Sequence, residues 1–159
     1  GKIDERKKIH LLLESIKLIN KKNITLIVFG IPNDEMEDKI KSYKNVENII
    51  FTGWVSPSNI YEIMLSAELA IYPGTHSVLW EQSVGTGLPC VFKRWSGIEH
   101  VDVGGNCVFL ENSDIGEIVD VINEVCDDKK RYFELKENAI KKGIKKFTYS
   151  EIAKKAIKI

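Results

Sequence analysis

The chain has 159 residues and a mass of 18.1 kDa, with 43% hydrophobic side chains. That fits one globular domain over 1–159, long enough to bury about two-thirds of the surface its unfolded chain would expose. Twenty-three Lys and Arg residues balance 23 Asp and Glu, so the formal net charge is zero; no global attraction to nucleic acid or an anionic membrane follows, and any anion must be held by a local site.

Helical and strand patterns alternate along the chain. Ile9, Leu12, Leu13 and Ile16 fall on one helical face and predict an amphipathic helix over 6–20. The run from Ile24 to Phe29, stopped by Gly30 and Pro32, suits a strand buried on both faces. Asn33 or Asp34 caps a polar helix to about Ser42, and 48–52 is a second strand. Ser56-Pro57-Ser58 opens a helix carrying Ile60, Ile63 and Met64, and a strand over 69–72 stops at Pro73-Gly74. A helix over 77–84 ends at Gly85 and Gly87; strands follow over 90–92 and 106–110. Asp114 and Glu117 form a capping box for a helix carrying Ile115, Ile118, Val119, Ile122 and Val125. A Lys-rich helix covers 129–146, its charges a solvated face, and Ser150 caps a terminal helix.

Short strands alternating with helices predict an α/β domain with a Rossmann-like, doubly wound parallel sheet. Ligands of such sheets bind at the carboxyl ends of the strands. This selects the turns at 30–33, 53–57, 73–77 and 93–97.

The turn after Tyr72 carries the most chemistry. Gly74 lets backbone approach a ligand closely, and Thr75, His76 and Ser77 add side-chain donors. The first turn of the helix behind them offers free N–H groups to an anion. Glu81, one turn in, can accept hydrogen bonds from the vicinal hydroxyls of a ribose. Ser77 as a plain cap and Glu81 as a solvated helix residue is the competing reading. Lys2, Arg6, Lys7 and Lys8 can clamp a diphosphate or stand as solvated charge.

Other residues carry less. Glu99, His100 and Asp102 lack the partner spacing of a metal site, His10 falls on the polar side of the first helix, and Trp80 and Trp95 suit core or interface better than stacking on a base or sugar. Cys90, Cys107 and Cys126 are odd in number, widely spaced and outside zinc-ligand spacing. Free thiols point to a reducing compartment. No signal peptide opens the chain and no apolar run is long enough to cross a bilayer. The opening Gly-Lys-Ile, without Met, leads us to expect a piece of a larger protein.

Glu81-Gln-Ser-Val-Gly-Thr-Gly-Leu-Pro-Cys-Val91 resembles the E-A-M-A-x-G-x-P-V-V segment of group 1 (family 4) glycosyltransferases of the GT-B fold. Gly1-Lys2-Ile3 with Lys7 resembles their G-R-L-x-x-x-K-G opening, and Ile50-Phe51-Thr52-Gly53-Trp54-Val55 their V-x-F-x-G-x-V strand and turn. The tail from Asp127, ending in Phe147-Thr148-Tyr149-Ser150, resembles their closing helical element. The matches run in the family's order along nearly the whole chain.

The resemblance implies the C-terminal, donor-binding half of such an enzyme. Lys2 and Lys7 would contact donor phosphates, and the backbone at Trp54 and Val55 the nucleobase. Gly74, Thr75, His76 and Ser77 would line the diphosphate and sugar pocket, and Glu81 would hold the ribose. No metal or other cofactor is expected, since the family uses no D-x-D-bound ion and the sequence has no such triplet. Lysines and helix N–H groups would then stabilise the leaving diphosphate.

Three positions depart from the family. Pro73 stands where it has the first glutamate of E-x7-E, Ser96-Gly97-Ile98-Glu99 shortens its Gly-Gly-x-x-Glu, and Gly104-Gly105 replaces an Asn-Gly pair. Sugar identity and retaining stereochemistry are therefore not carried over. The implied partners are a nucleotide sugar, an N-terminal acceptor domain supplying catalytic groups, and a saccharide or lipid-linked acceptor, but no nucleic acid. The implied setting is polysaccharide or glycolipid assembly in the cytoplasm, including the inner face of the membrane. The alternatives are a GT-B-like sugar-nucleotide epimerase, or a non-enzymatic flavodoxin- or receiver-like module; the strands ending at Phe29 and Tyr72 lack the acidic cluster a receiver needs.

Overall fold

In the computed structural model, residues 1–157 are described. β1 (Lys2–Ile3) pairs with β3 (Ile31–Pro32), and β2 (Leu26–Phe29) with β4 (Ile49–Gly53). β6 (Cys90–Lys93) lies between β5 (Ala70–Tyr72) and β7 (Cys107–Leu110). All these pairings are parallel. The helices are α1 (Ile9–Ile19), α2 (Asp34–Ile40), α3 (Pro57–Ser66), α4 (Leu79–Gly85), α5 (Ile115–Asp127), α6 (Lys129–Asn138), α7 (Ile144–Phe147) and α8 (Tyr149–Ile157).

The period of two along a strand sorts β5, β6 and β7 into two cores. Leu69, Ile71, Val91, Val108 and Leu110 join a cluster built on Leu12, Leu13 and Ile16 of α1 and Ile118 and Ile122 of α5. The alternate residues Ala70, Tyr72, Cys90, Phe92, Cys107 and Phe109 pack with Trp80 and Val84 of α4 and with Val101. These strands are buried on both faces, as a parallel sheet requires.

β2 departs from that expectation. Leu26 and Val28 join the first core, but Ile27 and its register partner Ile50, on the opposite face, are exposed. β1 and β3 are two residues each, below the length at which a strand pattern can be read.

Several helix starts follow the sequence. Asn33 Oδ1 accepts from Met36 N, Ser56 Oγ from Asn59 N and Asp114 Oδ1 from Glu117 N. Others shift. Instead of one helix over 6–20, Asp4 caps a 3-10 turn at Glu5–Lys7, and Lys8, at φ 53°, breaks the chain before α1. His10 falls on the polar side of α1 as expected, half-buried beside Glu5. Instead of one helix over 129–146, a π turn at Ala139–Gly143 joins α6 to α7. Gly143 there passes so close to α4 that a Cβ would lie 2.6 Å from the Val84 carbonyl oxygen. α8 begins at Tyr149, with the Glu151 and Ile152 N–H groups donating to the Thr148 carbonyl, so Ser150 is inside the helix and does not cap it.

Glu117 does more than the capping box asks: its carboxylate accepts from the backbone N–H groups of Glu111, Asn112 and Ser113. Burial opposes its charge, but these donors outweigh burial and pull its pKa below the usual carboxylate value. A depressed folded pKa means stabilisation that is present above the unfolded value of about 4.3 and lost as pH falls through the folded one. Glu117→Gln should therefore cost about 1 kcal/mol at neutral pH, as a lost cap does. The difference in melting temperature from wild type should vanish in strong acid; a pH-independent difference would rule out the ionised carboxylate as its cause.

Candidate functional site

The turn between β5 and α4 is pinned to the start of the chain. Thr75 N donates to the Arg6 carbonyl at 2.9 Å, and Lys7 Nζ donates to the carbonyls of Thr75 at 2.9 Å and His76 at 3.0 Å. Gly74 sits so tightly on this backbone that a Cβ would lie 2.1 Å from Arg6 O. The close approach that the sequence reserves for a ligand is thus made by the protein's own chain. Burial lowers the pKa of Lys7, with Asp4 opposing. Trp95 closes the other side, its Nε1 donating to Gly74 O at 3.3 Å while Lys93 Nζ lies 6.0 Å from its ring centroid.

α4 begins at Leu79, two residues later than expected, with Val78 at its N-cap making no side-chain bond. Ser77 is not a side-chain cap; its carbonyl takes the Trp80 N–H, removing one of the free donors expected there. Trp80 lies in the core, fully buried and stacked on Phe92 at 4.5 Å, so it cannot meet a base or sugar.

Glu81 lies in the first turn of α4, partly buried. Its Oε1 lies 2.8 Å from His76 Nε2 and 2.9 Å from His100 Nε2. Burial opposes its charge, but its own backbone N–H, His100 and His76 outweigh that and lower its pKa. Glu81 is an anchored carboxylate, not a solvated one. His100 was legible only as a member of the trio Glu99, His100, Asp102, which the fold separates: Glu99 accepts from Gly97 N, and Asp102 from Gly104 N and Gly105 N. Its reach to Glu81 spans nineteen positions and has no local sequence signal.

Lys7, Gly74, Thr75, His76 and Glu81 are thus brought together. Trp54 and Val55 line a separate shallow groove with Thr52, Ser56 and Asn59, beyond the carboxyl end of β4, and Trp54 is largely exposed. Lys2 is exposed on β1, beside Ile31. Pro73, at the position of the family's first glutamate, is buried.

The site therefore lies where a parallel sheet presents ligands, at strand carboxyl ends. Residues 1–142 match the family described as glycosyl transferases, group 1. No curated protein matches by sequence. Among solved structures, the chain is similar to HepE of Anabaena, solved with UDP-glucose, at 17% identity and a TM-score of 0.76, over 100% of this chain and 47% of that one. It is similar to sucrose-phosphate synthase of Thermosynechococcus elongatus at 15% identity and a TM-score of 0.77, over 98% and 42%. It is also similar to the C-terminal domain of a group 1 glycosyl transferase, LpcC, of Francisella tularensis at 18% identity and a TM-score of 0.73, over 98% and 83%. The chain spans about half the length of HepE. The shared fold is the Rossmann-like C-terminal half of GT-B. These likenesses lend no support to the epimerase or receiver-like readings.

Proposed function

Because this chain belongs to the group 1 glycosyl transferases, we propose that it is the donor-binding half of such an enzyme and takes a nucleoside-diphosphate sugar. The observation that carries this reading is Glu81, an ionised carboxylate fixed at the mouth of the β5–α4 turn by two histidines. It suits the paired hydroxyls of a ribose. The phosphates then lie along the Gly74–Ser77 turn, with Lys2 and Lys7 as the cationic groups, and the base meets the backbone at Trp54 and Val55. Lys7 already donates to two carbonyls, so it acts chiefly by holding the turn in shape.

UDP is the nucleotide to test first, since HepE was solved with UDP and with UDP-glucose. The acceptor is a saccharide or lipid-linked saccharide, held by an N-terminal domain that also supplies catalytic groups. Transfer needs no metal cofactor, since lysine and backbone donors offset the diphosphate charge. The setting is polysaccharide or glycolipid assembly in the cytoplasm or at the inner membrane face; among the described residues no helix is long and apolar enough to cross a membrane.

Saturation-transfer NMR with UDP, GDP, ADP and their sugar conjugates tests the donor site. One nucleotide should bind selectively, and Glu81→Ala should weaken it about tenfold to a hundredfold, the worth of hydrogen bonds to a charged group. Equal binding by the variant would remove Glu81 from the site, and binding of none of the panel would refute the donor reading for this chain.

A further inference from the structure

We propose that His76, Glu81 and His100 form a site for a divalent transition-metal ion, Zn2+ by chemistry, and that the ion excludes nucleotide by occupying Glu81. The exclusion, though not the site, rests on the donor reading above. Such an ion is an inhibitor of donor binding, not a participant in transfer.

Two imidazoles and one carboxylate are a donor set that zinc favours, and three protein ligands leave a fourth position for water. The ligand atoms lie within 4.8 Å of one another. A tetrahedral ion with bonds of about 2.0–2.2 Å needs donors about 3.3 Å apart. Starting from 2.8 and 2.9 Å, the two Nε2 atoms must each move from Oε1 by about half an ångström, and the two imidazoles, within 4.8 Å of each other, must close toward the same spacing by rotation of their side chains.

The three ligands come from the β5–α4 turn, the first turn of α4 and the 3-10 turn at Glu99–Val101, so tertiary structure rather than a local charge run assembles them. The rings are already braced. His76 meets buried Trp80 edge-on at 5.2 Å, and His100 meets Phe147 at 6.1 Å. Their backbones are tied too: Lys7 Nζ donates to His76 O, and Lys146 Nζ to His100 O at 2.7 Å. Glu81 Oε2 is buried with no hydrogen-bond partner among the described residues, so the carboxylate keeps unused acceptor capacity. Both histidine side chains keep solvent access, 33% and 44%, which gives an ion and its water a way in.

Zn2+ titration by calorimetry, repeated with Co2+ as an optical probe of coordination geometry, tests the site on wild type, His76→Asn and His100→Ala. One saturable site is expected, with a tetrahedral Co2+ spectrum. Each substitution should weaken it by about a hundredfold, at least what the loss of an outer-shell partner costs. Circular dichroism separates loss of a ligand from loss of the fold. No saturable binding, or binding indifferent to either substitution in a folded variant, overturns the site. For exclusion, UDP affinity is measured at rising free Zn2+. Each protein is compared with its own zinc-free affinity: the fall with zinc should be large in wild type and small in His100→Ala, the residual fall there measuring chelation by the diphosphate itself. Equal zinc sensitivity in both proteins overturns the exclusion. Histidine-dependent zinc binding in a protein that binds no nucleotide refutes the donor reading alone. UDP binding lost in Glu81→Ala, without a saturable zinc site, refutes the metal site alone.

Discussion

Gly74→Ala is expected to lower the melting temperature by on the order of 10 °C and to abolish nucleotide binding. The new methyl would lie 2.1 Å from Arg6 O and within 2.5 Å of the Lys7 backbone, and none of these atoms is the movable end of a side chain. The two segments must part. Overpacking costs about 1–3 kcal/mol, and parting also loosens the Thr75 N–H bond to Arg6 and the Lys7 bonds to Thr75 and His76, at about 1 kcal/mol each. In a chain of this size, 1 kcal/mol moves the melting temperature by about 2–4 °C. Gly116→Ala is the matched control. Its Cβ would meet only Asp114 Oδ1 at 3.4 Å, and alanine is the better helix former by about 1 kcal/mol. Calorimetry of both variants, with a UDP titration of each, checks the argument. A Gly74→Ala protein that melts with wild type would show that the β5–α4 turn does not rest on the Arg6–Lys7 backbone.

That contact marks the limit of what the sequence discloses. The alternating cores of β5, β6 and β7 are legible because period-two burial leaves continuous apolar runs such as Cys90-Val91-Phe92. The start of α5 is legible because its cap, Asp114, and Glu117 lie within four residues of each other. The turn at Gly74–Ser77 and Glu81 are legible as a candidate site because strand end, small residues and carboxylate are contiguous. What binds that turn is not. Lys7 reaches Thr75 across 68 positions and His100 reaches Glu81 across 19, and neither distance leaves any periodicity. The 3-10 turn carrying His100 is three residues long, too short for an amphipathic pattern. The one-sided burial of β2 is hidden for a different reason: Ile27 and Ile50 are as apolar as their buried neighbours, so nothing in their residue type distinguishes the exposed face.

These tertiary contacts change how the site works. A helix N-terminus at Ser77 would have offered loose amides to an anion. The observed arrangement spends one of them on Ser77 O and fixes a carboxylate with two imidazoles instead. On the proposed donor reading, recognition leans on a positioned acceptor for hydroxyls more than on a dipole for phosphate. The same contacts from His76 and His100 that fix Glu81, the proposed ribose acceptor, also assemble the proposed metal-ligand set, so the two proposed occupants compete for one atom group.

Trp80→Ala should be the most destabilising single change in this region, because Trp80 joins the site to the core. Its ring is fully buried and stacked on Phe92, lies 6.2 Å from Tyr72, and meets His76 edge-on at 5.2 Å. Truncation leaves a cavity at the centre of the second core and costs about 3–5 kcal/mol. It also frees the His76 ring, so UDP affinity should fall in whatever fraction stays folded. Trp80→Phe separates the two roles of the side chain. Nε1 is buried without a partner among the described residues, and such a donor costs about 1–3 kcal/mol. Phenylalanine removes that penalty, keeps an aromatic face toward Phe92 and His76, and gives up only the second ring's volume. The two terms oppose, so Trp80→Phe should melt within about 1.5 kcal/mol of wild type while Trp80→Ala falls far below it. Urea unfolding of the three proteins decides the matter. If Trp80→Phe were as damaging as Trp80→Ala, the indole N–H would have to be satisfied, and the bracing of His76 would depend on a polar contact rather than on packing.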